Sequence, residues 1–507
     1  MKSYNATRTV FNRKPGGKDI LSKPSIIVIG AGMAGLTCAA YLAKAGFAVQ
    51  VFEQHTRPGG YISSFQRMGF TFPAGPTSFG SNGIIFPILQ ELGLENSIRF
   101  ARAGHQISWA EKDIPLINPQ QLERELALIF PQERAGLQRY FRWVKIGGEG
   151  FGDLMDSGVM FGRHAGRSAF GTMLRHPLFP WAVAKVRNQT NRSLHRRYFS
   201  DPRLIALLDR LGYPVMSGQS TLGMWTAYFN DTWVPVGGMQ SMADRLAQCA
   251  QAHGGVIHFG QSVRRIRLEG QKARGVELED GTCVSGDWVI SAADLMHTCL
   301  DLIGQEHLGA GMPAKLARAL PSESTFTVFL GLRGSPQLSA VLERFRNSHV
   351  SYNGKDGHPL HLVLLSKDDP SLAPAGGHAL SLGYLSPYAE WENLKDDPSP
   401  YRAEKARRTD ALLRQAEEFI PGLGAHIAVQ ESATPLTCER YTGNWRGGTA
   451  GWCWDPQAAQ RFDWQRDIPV EHFRAIGHYV FNPGGVPTAM ITAWYIAQEI
   501  IKEGISS

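Results

Sequence analysis

Gly30-Ala31-Gly32-Met33-Ala34-Gly35 spaces three glycines as G-x-G-x-x-G, the pattern with which a chain cradles phosphate on its backbone amides. Its flanks complete the chemistry. A β-branched run from Ser25 to Ile29 leads in, a stretch of small residues to Ala45 reads as a helix, and a second strand from Ala48 to Phe52 ends on Glu53. In such a unit Gly30 permits the tight turn, Gly32 lets the backbone approach a pyrophosphate, and Gly35 lets helix and strand close. Glu53 stands where a carboxylate accepts hydrogen bonds from a ribose hydroxyl and repels a 2′-phosphate. A second glycine cluster, Gly309 to Ala314, has no strand before it and carries Pro313, so no nucleotide site is expected there.

Glu53-Gln54-His55-Thr56-Arg57-Pro58-Gly59-Gly60 follows directly. Gly59 and Gly60 offer backbone amides and Arg57 a guanidinium, which extends the phosphate cradle past the first turn. Nicotinamide dehydrogenases have no need of this second clamp, so FAD is the expected cofactor.

From Arg57 to Gly80 the chain resembles the flavoprotein family of phytoene desaturases, carotenoid isomerases and retinol saturases, a branch of the amine-oxidase-like superfamily. Three further blocks share the resemblance: Val234 to Met239 around a central glycine pair, Gly255 to Asp294, and a C-terminal block. The last comprises Thr434 to Thr437, Tyr441 to Asn444, and Phe473 to Glu499 around Pro483-Gly484-Gly485-Val486-Pro487. The resemblance implies that Val263 packs on adenine and that Ala34, Gln54, Gly477, Gly485, Val486 and Pro487 also border the cofactor. A helix predicted from about Thr488 to Lys502 would aim its N-terminal amides at the flavin pyrimidine ring. Two positions depart from the pattern: His478 follows Gly477 where many relatives carry Asp, and Pro73 ends the stretch Gly69 to Phe72 where Asp is usual.

To position these groups the chain needs an α/β fold: a Rossmann-type, glutathione-reductase-like FAD-binding domain interleaved with an α+β substrate-binding domain. The expected division gives residues 25–105, 232–298 and 470–507 to the FAD domain and 106–231 and 299–469 to the substrate domain. Residues 1–24 are expected to form a flexible basic arm, a transit peptide being the minor alternative. The chain has 507 residues, enough for two or three domains. Ile26 to Ala43 is an uncharged run of membrane-spanning length, but its glycines assign it to strand and helix.

Net charge is +7, and it is unevenly placed. Between Ser157 and Ser200 there is no acidic residue, while Arg163, Arg167, Arg175, Lys185, Arg187, Arg192, Arg196 and Arg197 interleave with Phe170, Met173, Leu174, Leu178 and Trp181. This segment, 157–200, reads either as helices resting on an anionic membrane or as a basic surface packed on its own core. No nucleic-acid motif accompanies the charge. Six scattered cysteines give no disulfide framework or zinc spacing, so no metal is expected and a cytoplasmic setting, peripheral on a membrane in the first reading, fits best.

The substrate segments are rich in large apolar residues: Leu211, Tyr213, Met216, Trp225, Tyr228, Phe229, Trp233, Trp445, Trp452 and Trp454. They line a greasy tunnel or fill a core. No hydrolase motif is present. Tyr213 and His478 are the candidate proton relays. The resemblance implies an FAD-dependent desaturase of a long isoprenoid or polyene such as a carotenoid; the final electron acceptor stays open between oxygen and a quinone. Alternatives are an isomerase or saturase using reduced flavin, an amine oxidase, and a non-catalytic prenyl or lipid escort protein.

Overall fold

The computed structural model describes residues 23–109, 112–162, 165–186, 188–354, 359–455, 467–481 and 483–506. The basic arm up to residue 22, Arg163 and Arg187 lie outside the described residues.

Ile26 to Ile29 are buried, and the strand Ser25–Ile29 pairs in parallel on both sides, with Trp288–Ser291 and with Ala48–Glu53. A strand covered on both faces must be apolar, which is why Ile26 to Ile29 reads as a continuous aliphatic run. Phe473–Ala475 and Val256–Phe259 complete a five-stranded parallel sheet in the order 473–475, 288–291, 25–29, 48–53, 256–259. Three distant stretches of chain therefore share one sheet. The helix Met33–Lys44 packs beside it with the helices Gln240–Ala252 and Val486–Ser506, joining Leu36, Ala40, Leu246, Met490, Trp494 and Ala497 in one core. The three-stranded antiparallel sheet Val263–Glu269, Lys272–Leu278, Cys283–Ser285 shares a second core with Ile27, Ile29 and Val289. Ile26 to Ala43 is thus strand and buried helix, and among the described residues no helix is long and apolar enough to cross a membrane.

The C-terminal helix begins at Val486, two residues before the position expected from sequence. Pro487 lies in its first turn, where its missing N–H is not needed. The second glycine cluster, Gly309 to Ala314, leads into the short helix Met312–Arg318 and joins no sheet.

A seven-stranded mixed sheet forms the second layer, in the order Ile427–Ala433, Thr325–Leu332, His378–Leu385, Pro359–Leu364, His349–Asn353, His105–Trp109, Lys112–Pro115. Its pairs are antiparallel except for His349–Asn353 against His105–Trp109. One face buries Phe326, Val328, Leu330, Leu362 and Leu382 against the helix Pro398–Phe419. Residues at odd positions on the same strands point the other way.

The remaining helices, among them Pro119–Ile129, Arg134–Asp156, Asn191–Tyr198, Pro202–Asp209 and Gly218–Asn230, enclose Trp143, Trp225 and Tyr140. A polar chain runs through this core. His195 is fully buried, its Nδ1 2.6 Å from Asp209 Oδ1 and its Nε2 3.0 Å from the Tyr140 hydroxyl, which also accepts from Trp225 Nε1 at 2.9 Å. Arg192 closes the chain, donating to Asp209 Oδ2 at 2.9 Å. Burial holds His195 below its usual pKa, against the opposing pull of Asp209.

Candidate active site

The cofactor cradle hangs on the carboxyl ends of the parallel strands, where an open α/β sheet leaves a crevice. Ile29 runs into Gly30, Ser291 into Ala292, and Ala475 into Ile476 and Gly477, while Glu53 ends its own strand. Gly30 takes a φ of +94°, open to glycine at little cost, and donates its N–H to Phe52 O at 2.8 Å. A Cβ on Gly35 would lie 2.0 Å from the Gly30 carbonyl oxygen, so helix and strand close only over glycine.

Gly32 is the N-cap of Met33–Lys44, with no side chain capping the helix and no acidic residue in its first turn. Its free amides face the cavity, and a Cβ on Gly32 would meet no atom within 4 Å and would occupy that cavity instead. The loop with Gly59 and Gly60 folds onto the same turn: Gly59 N–H donates to Ala31 O at 2.9 Å, and a Cβ on Gly60 would lie 3.3 Å from Gly32 Cα. Both glycine pairs thus present backbone to one place. Glu53 is buried, its Oε2 accepting from Ala31 N–H at 2.7 Å and its Oε1 from His55 N–H at 2.9 Å. Each oxygen keeps a further lone pair for a ribose hydroxyl.

Gly485, Val486 and Pro487 bring the start of the C-terminal helix to the same cavity, and Thr492 Oγ1 accepts from Gly477 N–H at 3.0 Å. Ala34, Gln54, Val263 and Gly477 also line it, as do Tyr213 and His478. Two of the expected cofactor residues stand apart. Gly35 acts through packing beneath the cradle, and Arg57 is exposed and off the cavity wall. The cradle fits the diphosphate and ribose of a dinucleotide.

The cavity continues beyond this cradle to the odd-numbered face of the seven-stranded sheet and measures about 1110 Å³. That is slightly above the roughly 300–1,000 Å³ of a single small-molecule site. Leu211, Tyr213, Tyr228, Trp445 and Trp454 line it, but Met216, Trp225 and Trp452 are core residues, and Phe229 and Trp233 pack against Trp225 and Phe86. The greasy-tunnel expectation therefore holds for only part of the aromatic set. Sequence reasoning missed the sheet side altogether: Thr325, Thr327, Ser351, His361 and Ser381 line the cavity. Their alternation with apolar residues was the available signal, and it is the same signal a solvent-facing strand gives.

Burial sets the proton chemistry. His478 packs edge-on against Tyr479, with ring centroids 4.5 Å apart, and desolvation lowers its pKa to about 4. Desolvation likewise raises the Tyr213 hydroxyl, which is bonded to the Thr449 side chain. His105, His349 and His361 form a run of tilted imidazoles that ends at the cavity wall with His361, ring centroids 4.7 and 5.8 Å apart. Burial and mutual repulsion lower His105 to about 3 and His349 well below its usual value, and burial takes His361 to about 4. At neutral pH all four imidazoles are uncharged.

A dinucleotide held at one end of a cavity and an organic substrate at the other is the arrangement of an FAD-dependent oxidoreductase, and this protein is one. The chain belongs to the flavin containing amine oxidoreductase family, whose sequence model matches residues 33–501. It is 26% identical to a zeta-carotene-forming phytoene desaturase of Myxococcus xanthus, over 94% of this chain and 93% of that protein. A chloroplastic prolycopene isomerase of Daucus carota is 25% identical over 82% of this chain and 70% of its own length. Among solved structures, a putrescine oxidase bound to putrescine superposes with a TM-score of 0.62 at 14% identity, covering 94% of this chain and 99% of that one. An oxidoreductase from Methanosarcina mazei gives 0.61 at 18% identity, covering 94% and 100%. At such identities the structural matches establish the fold alone.

Glu53 organises two loops as well as lining the cavity, so an isosteric change tests its expected bond to a ribose hydroxyl best. Glu53→Gln should weaken FAD retention by about tenfold, the worth of a charge-assisted hydrogen bond; flavin content after dialysis measures it, and unchanged content would remove Glu53 from the site. The four neutral histidines predict an acid-labile fold. Their folded pKa values lie below the unfolded value, so the unfolded chain binds more protons. Stability is full above about pH 6.5 and is lost as pH falls toward 4. Urea unfolding between pH 7.5 and 4.5 should show this slope, and His361→Gln should flatten it.

Proposed function

We propose that the protein desaturates a long hydrophobic isoprenoid or polyene of carotenoid type. The observation that carries this reading is the continuity of the cavity, in which the glycine cradle and a large second compartment share one space. FAD held in the glycine cradle would supply the two-electron acceptor for a hydride from a C–H bond, the balancing proton leaving the neighbouring carbon. The chain's part is to hold that bond beside the cofactor and to exclude water. On this reading His478, neutral and on the cavity wall, accepts the proton, and Tyr213, on the same wall, relays it. Similarity to prolycopene isomerases supports a second reading, redox-neutral isomerisation on the same architecture.

Membrane delivery of the substrate belongs to the same proposal. On the helix Ala165–Arg175, Arg167, Phe170 and Leu174 follow i, i+3 and i+7 spacing and so share a face. Phe170 and Leu174 are 64% and 68% exposed, and Met173, Leu178 and Trp181 are exposed around them. This apolar stripe edged by cations suits an anionic lipid surface, apolar side inward and Arg167 toward headgroups. Not every cation of the segment is available: Arg175 pairs with Asp153, and Arg192 is tied to Asp209.

Two measurements test these readings. Anaerobic mixing of the yellow protein with a phytoene-type polyene should bleach the flavin absorbance with a stoichiometric gain of one double bond. A geometric isomer formed without bleaching favours the isomerase, and no change with any polyene sinks both. For the membrane, Phe170→Ser with Leu174→Ser and Trp181→Ser should weaken binding to anionic vesicles by about tenfold or more. Arg167→Gln should reduce only the salt-sensitive part; vesicle binding unaltered by both variants would return the segment to an ordinary surface.

A further inference from the structure

The sheet side of the cavity carries a feature that a hydrocarbon does not explain. Four strands place Thr327, Gly383, His361 and Ser351 side by side: Thr327 pairs with Gly383, Gly383 with His361, and His361 with Ser351. All four line the cavity. The row is therefore hydroxyl, gap, imidazole, hydroxyl, with Ser381 and Thr325 one step along the strands to either side. A Cβ at Gly383 would lie 3.2 Å from the Phe326 carbonyl oxygen and 3.5 Å from Thr327 Oγ1, so glycine at this position keeps the Thr327 hydroxyl uncrowded beside His361.

Among the described residues, none of the Thr327 hydroxyl, the His361 imidazole or the Ser351 hydroxyl has a hydrogen-bond partner. Polar groups in a protein interior are nearly always satisfied, and one stripped of water without a partner costs about 1–3 kcal/mol. A hydrocarbon over this row would strip three such groups. An oxygen atom there would instead be met from both sides, since hydroxyl and neutral imidazole each donate and accept. Elsewhere the same cavity offers Leu207, Leu211, Leu300, Tyr228 and Trp454 to an apolar chain. The walls are amphiphilic.

We infer that the substrate is a polyene or isoprenoid bearing an oxygen function, a hydroxyl or carbonyl, which binds over the Thr327–His361–Ser351 row. This rests on the substrate reading above and narrows it. The row acts as a specificity element: a site built to pair an oxygen rejects the analogue that lacks it, because its own polar groups are left unpaired.

The test compares a linear polyene hydrocarbon with the same chain carrying a terminal hydroxyl or aldehyde. Affinity for the FAD-loaded protein is read by quenching of tryptophan fluorescence, and flavin bleaching is followed in parallel. The oxygenated compound should bind about tenfold or more tightly. Thr327→Val with Ser351→Ala should abolish that preference while hydrocarbon binding stays equal or improves; retained flavin content certifies the fold, and His361→Leu gives an independent second variant. Equal affinity for the two compounds in the wild type, or a preference untouched by these variants, overturns the inference and leaves the desaturase reading standing if either compound bleaches the flavin. If neither binds nor bleaches, the polyene reading fails and this inference fails with it.

Discussion

The contact between Gly35 and the Gly30 carbonyl governs the geometry of this molecule. A methyl at Gly35 would sit 2.0 Å from that oxygen and 3.3 Å from Ala292 Cβ, so helix Met33–Lys44 can lie on strand Ser25–Ile29 only because both positions are glycine. That close approach aims the uncapped helix start at the crevice beyond the strand ends. It also fixes where everything else must dock: Ala292 N–H donates to Ile29 O at 2.9 Å, Ile476 N–H to Ser291 O at 2.8 Å, and the C-terminal helix packs on Met33–Lys44. Residues separated by several hundred positions reach one site because they follow adjacent strands of one parallel sheet.

Polarity in the two lobes is handled in opposite ways. The helical lobe seals its buried charge: Asp209 is paired with Arg192 and hydrogen-bonded to His195, and the chain of bonds ends on Tyr140 and Trp225. The sheet lobe leaves polar groups open toward the cavity, and desolvation within the protein keeps its histidines uncharged. A neutral imidazole costs far less to enclose than an imidazolium and retains both donor and acceptor. This difference is the reason a polar cavity wall and a stable core coexist a few strands apart.

How much of this was legible in the sequence follows from the range over which each signal acts. The α/β fold and FAD were readable because strand, G-x-G-x-x-G, helix and Glu53 lie within one short stretch and the chemistry resides in backbone and spacing. The C-terminal glycines were readable for the same reason, and only the helix start, moved to Val486 by the tolerance of its first turn for Pro487, was displaced. The cavity wall was not readable. Thr327, His361 and Ser351 become neighbours only through strand register, and register is set by pairing between segments that carry no local mark of each other. Trp225 and Trp452 illustrate the converse: their size signals burial but cannot say whether a ligand or the protein itself covers them.

The division between backbone recognition and side-chain recognition leaves a cofactor cradle that tolerates wide sequence change. Amides at Gly32, Gly59, Gly60 and Gly485 depend on conformation, so most surrounding side chains are free to change provided the glycines and the sheet persist. Position 478 shows this: the neighbouring Gly477 amide is held by Thr492 from within the C-terminal helix, so the backbone does not lean on His478. Substrate recognition has no such insulation. It depends on which side chain each strand offers at one register position, so a single exchange at 327, 351 or 361 alters what the cavity accepts and leaves the cradle untouched. Selectivity in this fold is therefore expected to drift along the sheet face while the flavin chemistry stays fixed.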